Sequence, residues 1–463
     1  MNASKTPKTS ASKLHAVGAA IWLPTQLGRG LALVLLITAA LGQPAMAQAA
    51  EANWWEQMPV FGPSGHSDRK PDRKDRKVEA LDDLRVDATP WRSDVMLSAL
   101  DGAIGQYQQI VAKGGWKAIP SNRMIRPGDE DERVPALRRR LRASGDLTGK
   151  DSGYEGSTFD DTLEQAVRRF QGRHGIRVTG RVDRPTFAVL NVSAEARLAQ
   201  LRLNYTRLQE LLNTRVEDRY VLVNVPAFQL EAVERFEVQQ RHRVIVGRDA
   251  RETPTLKATI RALNFFPYWR VPDSVANLDL IPKLRKEPEY LTNEKIRVVS
   301  GNFNGPEIDA TNIDWNTADG SKIKFKQDPG PQNALGLVRI DMPNEHGVYM
   351  HDTPLKPLFD QRSRAFSAGC VRVQGVFQLA EWISRQEPGW EQKGRVDDVL
   401  TGGQAVDLTL SRPLPVYFTY ITAWAEPNGR IEFRPDIYGR DGTGDGEGQR
   451  DADAAPPAPG LAP

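Results

Sequence analysis

The spacing of apolar residues changes at Tyr220, and this change divides the chain into a helical part and a sheet part. Between Val95 and Val111, and again between Ala196 and Leu212, apolar residues recur every three or four positions, the period of an amphipathic helix. From Tyr220 onward, short β-rich runs separated by turn residues predict a sheet-dominated domain. Because 463 residues exceed what one hydrophobic core accommodates, we expect an α+β multidomain protein.

The sheet part contains a region in which the β pattern loosens, between Pro272 and Gly336. Short helices are predicted there at 278–284 and 288–299, and residues 302–316 are polar. We interpret this region as an insertion over the sheet domain, which acts either as a lid or as a surface elaboration. Strands are predicted at 220–225, 230–233, 241–247, 258–263, 336–340, 348–351, 416–424 and 430–433.

The N-terminus has the features of an export signal. Four basic residues precede an apolar run from Leu31 to Leu41, and Ala45-Met46-Ala47 then supplies the small residues that a signal peptidase requires. The run is shorter than the ~20 residues of a spanning helix. We therefore expect a cleaved signal peptide over residues 1–47 and a periplasmic location, with an uncleaved inner-membrane anchor as the alternative.

The charge of the exported chain argues against a nucleic-acid partner. Removing residues 1–47 would take away four basic side chains and no acidic one, so the formal net charge would change from +3 to −1. A nucleic-acid binder is expected to carry a net basic surface. The one basic cluster, at 68–77, is mixed with acidic residues, and we interpret residues 48–90 as a solvated linker.

Residues 126–191 form a compact helical unit with glycines at its turns. The segments Ala166-Val167-Arg168-Arg169-Phe170-Gln171, His174-Gly175-Ile176 and Gly180-Arg181-Val182-Asp183 resemble the three-helix peptidoglycan-binding domain attached to many cell-wall enzymes. From the residues alone, the unit is a small helical domain with an apolar core. The resemblance implies that peptidoglycan is a partner of this protein.

The helical segments on either side of this unit have matching apolar patterns. Residues 91–125 precede it and residues 192–217 follow it. We expect the two segments to pair as a helical scaffold into which the unit at 126–191 is inserted.

The chain has a single cysteine, Cys370, so an internal disulfide is excluded. Most lone cysteines are buried small hydrophobic residues. Here, however, His351 lies nineteen residues upstream, with a polar, proline-containing segment between them. An imidazole beside a thiol takes its proton and holds the resulting ion pair. We interpret Cys370 as a nucleophile and His351 as its proton acceptor and donor.

Residues next to Cys370 add to this chemistry. Gly369 permits a tight backbone approach, so that amides around Gly369 and Cys370 would face a developing oxyanion. Arg372 is expected on the same side of a strand as Cys370, where it would attract a substrate carboxylate. The alternative for Arg372 is an exposed strand charge.

The stretch Ser367-Ala368-Gly369-Cys370-Val371-Arg372, with His351 upstream, resembles the catalytic motif of the L,D-transpeptidases of the YkuD type. Ala368 departs from this motif, because the commoner members have a second histidine there. The resemblance favours His351 over His346 as the base. It also implies that the backbone of Asp352 orients His351, and that Ser367 and Tyr349, like Arg372, bind substrate.

The resemblance extends beyond the motif to the large YcbB-like branch of this family, through residues 264–272 and 328–336. It implies a mainly β catalytic domain at 218–440 with an inserted capping subdomain at about 273–335. Residues 441–463 are mostly Gly, Asp, Ala and Pro, and we predict that they are disordered.

The activity that the resemblance implies is acyl transfer within peptidoglycan. Cys370 would attack the carbonyl at the L-centre of diaminopimelate in a tetrapeptide stem, expel the terminal D-alanine and hold a thioester. The side-chain amine of a second stem would then give a 3→3 cross-link. Such an enzyme would be a carbapenem target.

Three alternatives remain open at this point. The protein could be a hydrolase of the same fold, either an L,D-carboxypeptidase or an endopeptidase. It could instead attach a protein to peptidoglycan, or be an inactive wall-binding protein. No grouping of His, Cys and carboxylates has metal-ligand spacing, so neither a metal nor another cofactor is expected. Other cell-wall synthesis proteins are candidate partners.

Overall fold

The structure, a computed structural model, describes residues 83–149, 156–214 and 217–442. The expected signal peptide, most of the expected linker and nearly all of the C-terminal tail lie outside the described residues. The described end of the linker is fixed to the sheet domain, because Asp83 accepts hydrogen bonds from Arg243 and Arg364 at 2.6 and 2.8 Å. Residues 83–90 are therefore part of the folded protein and not a solvated linker.

Five α-helices lie in the described residues before Asn213: α1 Asp94–Ala112, α2 Val134–Ala143, α3 Asp161–Arg173, α4 Arg184–Leu190 and α5 Ala194–Leu212. The two long helices begin at serines, because the hydroxyls of Ser93 and Ser193 accept hydrogen bonds from the amides three residues further on. α1 and α5 share one apolar core, which includes Leu100 and Leu201. Among the described residues, no helix is both long enough and apolar enough to cross a bilayer.

Helices α2, α3 and α4 enclose a separate small core. Phe170 and Leu141 are fully buried at its centre, and Ile176 packs beside them at the turn after α3. Asp160 caps α3 by accepting a hydrogen bond from the amide of Leu163 at 2.8 Å. The inserted unit is thus a three-helix domain with its own apolar interior.

The strands of the described chain are β1 Arg219–Asn224, β2 Gln229–Glu234, β3 Glu237–Gly247, β4 Leu256–Phe265, β5 Trp269–Arg270, β6 Ile296–Ser300, β7 Glu307–Ile308, β8 Ile323–Gln327, β9 Val338–Asp341, β10 Met350–His351, β11 Ala365–Ser367, β12 Val371–Val373, β13 Val406–Thr419, β14 Ala423–Ala425 and β15 Ile431–Phe433.

Nine of these strands form one sheet in the order β11-β3-β12-β10-β9-β4-β13-β1-β2. The sheet closes into a barrel because β3 is long enough to pair twice: its first half pairs with β2 and its second half with β12. Closure removes the exposed strand edges. Two further helices, α6 (Val376–Ser384) and α7 (Arg395–Gly402), pack residues such as Trp382 and Val396 into the barrel core.

The region between β4 and β9 forms a capping layer with a sheet and a core of its own. Its sheet has the order β5-β8-β6-β7, and Trp269, Leu280 and Phe325 are buried beneath it. The helix predicted at 288–299 is wrong in its second half, because Ile296–Ser300 pairs as strand β6 with β8. Its short helical segments are Asp273–Val275, a π-helical turn at Ala276–Leu280, Ile281–Leu284 and Tyr290–Asn293.

Candidate active site

The predicted base, His351, and the predicted substrate-binding cation, Arg372, lie at paired positions of neighbouring strands. His351 on β10 is aligned with Arg372 on β12 and, on its other side, with Arg339 on β9. Residues at paired positions project to the same face of a sheet. Cys370 immediately precedes β12, and the charge of Arg372 acts on the pKa of both Cys370 and His351, so the three side chains lie near one another. The barrel therefore brings the predicted nucleophile, base and cation to one place.

His351 is held in one orientation and one tautomer. Its Nδ1 lies 2.5 Å from the backbone carbonyl oxygen of Asp352, and its side chain is fully buried. Because a carbonyl oxygen only accepts, Nδ1 carries the proton, and Nε2 of the neutral ring is left as an acceptor. Among the described residues, this Nε2 has no hydrogen-bond partner. The nitrogen of the ring that is free to accept a hydrogen bond is therefore Nε2.

The side chain of Asp352 fixes the backbone that orients His351. Its Oδ2 accepts a hydrogen bond from the amide of Leu337 at 3.0 Å, and its Oδ1 forms an ion pair with Lys356. Gly336 has a positive φ of 61°, and a Cβ atom there would lie 2.3 Å from Asp352 Oδ2. Only glycine leaves room for this carboxylate.

The turn that carries Cys370 is held by two hydroxyl groups. Ser367 Oγ accepts from the amide of Gly369 at 3.1 Å and donates to the carbonyl of Cys370 at 2.6 Å. Thr253 Oγ1 donates to the carbonyl of Gly369 at 2.8 Å and accepts from the amide of Gly247 at the same distance. Both hydroxyls are fully buried and serve the backbone.

Two sequence predictions need correction at this turn. The amide of Gly369 is committed to Ser367 Oγ, so the available oxyanion donor is the amide of Cys370 and not that of Gly369. Ser367 was expected to bind substrate, but its hydroxyl is buried and used within the turn. The motif serine therefore shapes the turn, and its hydroxyl is already used there.

Arg372 is fully buried, and its Nε, Nη1 and Nη2 all lack a hydrogen-bond partner among the described residues. An exposed strand charge, the alternative considered from the sequence, is thus wrong. Burial lowers the pKa of this guanidinium to about 10, although the nearby Cys370 thiolate would favour its charged form. Burying a cation without a hydrogen-bond partner costs free energy, and an anionic ligand that pairs with Arg372 would offset this cost.

The thiol and the imidazole are both neutral in this closed state. Burial is the main cause that lowers the pKa of His351 to about 3, and the charge of Arg372 is the second. Burial also raises the pKa of the Cys370 thiol to about 11, with a smaller opposing effect from Tyr349 and Arg372. The ion pair expected from the sequence is therefore absent, because burial disfavours the charged form of each group.

The capping layer covers the site. Cys370 is 7% exposed, and both Tyr349 and Ala368 pack against the apolar core of the capping layer. Asp279 of that layer pairs with Arg248 at 3.2 Å and with Arg251 at 2.6 Å, on the loop that follows β3. Reaching the thiol requires this cover to move.

Tyr349 is the remaining predicted site residue, and it stands at the centre of the group. Its ring meets the His351 ring edge to face at 5.7 Å between centroids, and the guanidinium of Arg339 lies 5.2 Å from its ring centre. Burial raises the pKa of its hydroxyl well above the usual value, with the charge of Cys370 as a second cause. It lines the same space as the thiol.

The other histidines lie elsewhere. His346 is exposed in a turn, 3.5 Å from Glu345, as expected for a residue that is not the base. His174 is buried between Phe170 and Phe433, at ring distances of 3.9 and 5.2 Å. No group of three or more His, Cys, Asp or Glu residues in the described part of the chain could hold a metal ion.

Sequence reasoning missed Arg339, Asn264 and Thr253 as site residues. Arg339 alternates with the buried apolar residues Val338 and Ile340, a pattern that marks it as facing the other side of a strand. This alternation can be read from the sequence, but the sequence does not show that β9 lies beside β10, the strand that carries His351.

Two protein-family models match the chain. Residues 218–400 match the model described as "L,D-transpeptidase catalytic domain", and residues 130–190 match "Putative peptidoglycan binding domain". A Haemophilus influenzae protein described as "Putative L,D-transpeptidase" is 35% identical over 222 residues, which are 48% of this chain and 44% of that protein. The chain thus spans less than half the length of this relative.

Solved structures give weaker likenesses. An L,D-transpeptidase from Mycobacterium smegmatis is 11% identical with a TM-score of 0.23, covering 44% of this chain and 58% of that one. An L,D-transpeptidase from Stackebrandtia nassauensis is 12% identical with a TM-score of 0.22, covering 63% of this chain and 93% of that one. The assignment of the domains rests on the sequence matches.

Proposed function

Because the chain carries a catalytic domain of the L,D-transpeptidase family and a peptidoglycan-binding domain, we propose that it forms 3→3 cross-links between peptidoglycan stem peptides. The observation that carries the proposal is the close grouping of His351, Arg372 and Cys370: His351 pairs with Arg372 across neighbouring strands, and the charge of Arg372 acts on both His351 and Cys370. A buried acceptor nitrogen, a buried guanidinium without a partner and the chain's one thiol meet there. A thiol, a proton acceptor and a cation are the groups that a cysteine acyltransferase needs to act on an anionic substrate.

In the first half-reaction, Cys370 Sγ gives its proton to Nε2 of His351 and attacks the carbonyl carbon at the L-centre of the donor's diaminopimelate. The amide of Cys370 donates to the developing oxyanion. The C–N bond to the terminal D-alanine breaks, and its nitrogen takes the proton from His351. A thioester remains, and Arg372 holds a carboxylate of the donor.

In the second half-reaction, an amine of a second stem gives a proton to His351 and attacks the thioester carbonyl. The new C–N bond forms, the C–S bond breaks, and the sulfur takes the proton back. The capping layer favours this outcome over hydrolysis, because it keeps water from the thioester. Opening of the capping layer admits each substrate.

The binding domain supports peptidoglycan as the substrate. Arg173 in α3 donates to the backbone carbonyl of Ile431 at 3.2 Å, and His174 stacks on Phe433 of the β14–β15 hairpin. These buried contacts fix the domain on the body that carries Cys370. A glycan strand held by this domain would keep its stems near the site, in the periplasm to which we propose the N-terminal signal directs the protein.

Product analysis tests the proposal. Purified protein is incubated with disaccharide tetrapeptides that end in diaminopimelate and D-alanine, and the products are separated and weighed by mass spectrometry. Dimers joined between two diaminopimelate residues, formed with release of D-alanine, are expected. Tripeptides without dimers would show a hydrolase instead, and no change in the substrate would favour an inactive wall-binding protein. We also expect a carbapenem to acylate Cys370 in the same preparation.

A further inference from the structure

The row of polar residues that contains His351 continues on the side away from Arg372. We infer that Arg339 forms a second anion subsite that takes the carboxylate of the acceptor, so that the attacking amine is selected by its own α-carboxylate. The inference rests on the proposed transpeptidation and names the acceptor chemistry of that site.

The row follows from strand pairing. Arg372 is aligned with His351, His351 with Arg339, and Arg339 with Asn264 on β4. All four side chains therefore project from one face of four neighbouring strands. Because neighbouring strands lie about 4.8 Å apart, the two arginines stand on either side of the base with about 10 Å between their backbones.

Each residue of the row has a buried polar atom without a partner in the described part of the chain. Beyond Arg372 and His351, these atoms are Nε of Arg339 and Oδ1 of Asn264. Such atoms are rare in native proteins, because leaving them unpaired costs free energy. Four in succession across a sheet indicate a track that a polar ligand completes.

The contacts that Arg339 makes within the described residues leave its Nε free to bind a ligand. Its Nη2 donates to Asp341 at 2.5 Å, and its guanidinium lies over the ring of Tyr349. Asp341 is on the same strand and engages Nη2 alone, so Nε remains for a ligand oxygen. The Asn264 amide nitrogen donates to the carboxylate of Asp407 at 2.6 Å, so the atom that Asn264 has free is Oδ1, an acceptor that would take a ligand N–H and not a carboxylate oxygen.

The charge of Arg339 reaches the reacting groups. It is among the causes that lower the pKa of His351 and of Cys370, so it lies close to both. An acceptor whose carboxylate binds Arg339 would have its amine one strand away, beside His351 Nε2. In an α-amino acid the amine and the carboxylate share one carbon, and this separation fits the spacing of neighbouring strands. The D-centre of diaminopimelate has this arrangement.

The test compares two acceptors on one thioester. The enzyme is first acylated with a tetrapeptide donor, and then receives a diaminopimelate tripeptide with either a free D-centre carboxylate or the corresponding carboxamide. Partition between aminolysis and hydrolysis is read by mass spectrometry. We expect wild-type enzyme to prefer the carboxylate by about tenfold or more, as for a charge-assisted contact. In Arg339→Gln the preference should fall to within about twofold.

Arg297→Gln is the matched control, because Arg297 also pairs with an aspartate at 2.5 Å and is similarly exposed, but lies on the capping sheet. It should keep the wild-type preference. A ratio near one in wild-type enzyme would overturn the inference without any variant, and so would an unchanged preference in Arg339→Gln. If no thioester forms on wild-type Cys370, the proposed function itself fails, which is a different result from a thioester without acceptor preference.

Discussion

Thr253 and Gly369 are joined by a hydrogen bond of 2.8 Å from the threonine hydroxyl to the glycine carbonyl. The same hydroxyl accepts from the amide of Gly247, and Tyr438 donates to the carbonyl of Gly247 at 2.6 Å. The loop after β3 therefore sets the position of the turn that carries Cys370, although the two segments are 116 residues apart.

Replacing Thr253 with valine should disturb that turn. Thr253→Val keeps the shape of the side chain but leaves a buried amide and a buried carbonyl unpaired, at a cost of about 1–3 kcal/mol in unfolding free energy. Thioester formation should slow by about tenfold or more, because the sulfur loses its fixed position. Urea unfolding and the rate of D-alanine release measure the two effects. Thr409→Val, at an exposed position of β13, should change neither.

Gly336 should tolerate alanine much less well than Gly347 does. Both have similar positive φ values, 61° and 64°, so both variants carry the strain of a left-handed alanine, about 1–2 kcal/mol. Only at Gly336 would the new Cβ collide with Asp352, which orients His351. Gly336→Ala should lose about 1–3 kcal/mol more stability, together with most activity. Equal stability and equal D-alanine release in the two variants would contradict this role of Asp352.

The ion pairs of Asp279 should keep the capping layer closed. Asp279→Asn weakens its contacts with Arg248 and Arg251, which are partly exposed and worth about 0.2–1 kcal/mol each. Alkylation of Cys370 by iodoacetamide should therefore become a few-fold faster, and hydrolysis should take a larger share of the products. Asp273→Asn removes an ion pair with Lys324 inside the capping layer and serves as control. If both variants alkylate at the wild-type rate, Asp279 does not hold the cover.

The reactivity of Cys370 should rise steeply with pH in the absence of substrate. Its thiol pKa is raised to about 11 by burial, so the group is protonated at neutral pH and the thiolate fraction grows about tenfold per pH unit up to that pKa. Iodoacetamide alkylation from pH 7 to pH 10 should follow this slope without a plateau. In Arg372→Gln the pKa should be higher still, because the guanidinium favours the thiolate. A plateau below pH 8 would mean that the thiolate is already formed in the closed state.

The sequence predicted the helices and strands that are long enough for the spacing of their apolar residues to be recognised. The two long helices α1 and α5 and the strands β1 to β4 carry many apolar positions at regular spacing, and all appear where the pattern predicted them, within a few residues. Cys370 and His351 were predicted as nucleophile and base because a lone thiol with an imidazole upstream is typical of such a pair. Chemistry of this kind is carried by residue identity and needs no knowledge of the strand order.

Arg339 and Asn264 could not be found in the same way. Strand β9 lies between β4 and β10, an order that follows from barrel closure and not from the sequence of strands along the chain. Strands β10 and β12 have two and three residues, too few for a period. Likewise, nothing in the motif shows that Gly369 donates to Ser367, because the direction of that amide depends on the path of the turn. The spacing of helix α6 was visible, since Val376, Leu379, Ala380 and Ile383 recur at helical intervals, but the helix was not predicted.

The proposed cross-linking requires that the Cys370 sulfur form a thioester with the donor stem. This thioester can be detected by intact-mass measurement of protein that is mixed with a tetrapeptide donor and quenched in acid within seconds. We predict a mass increase equal to the donor without its D-alanine, located on the peptide that contains Cys370, absent in Cys370→Ala and strongly reduced in His351→Gln. Cross-linked product formed by Cys370→Ala at the wild-type rate would contradict it.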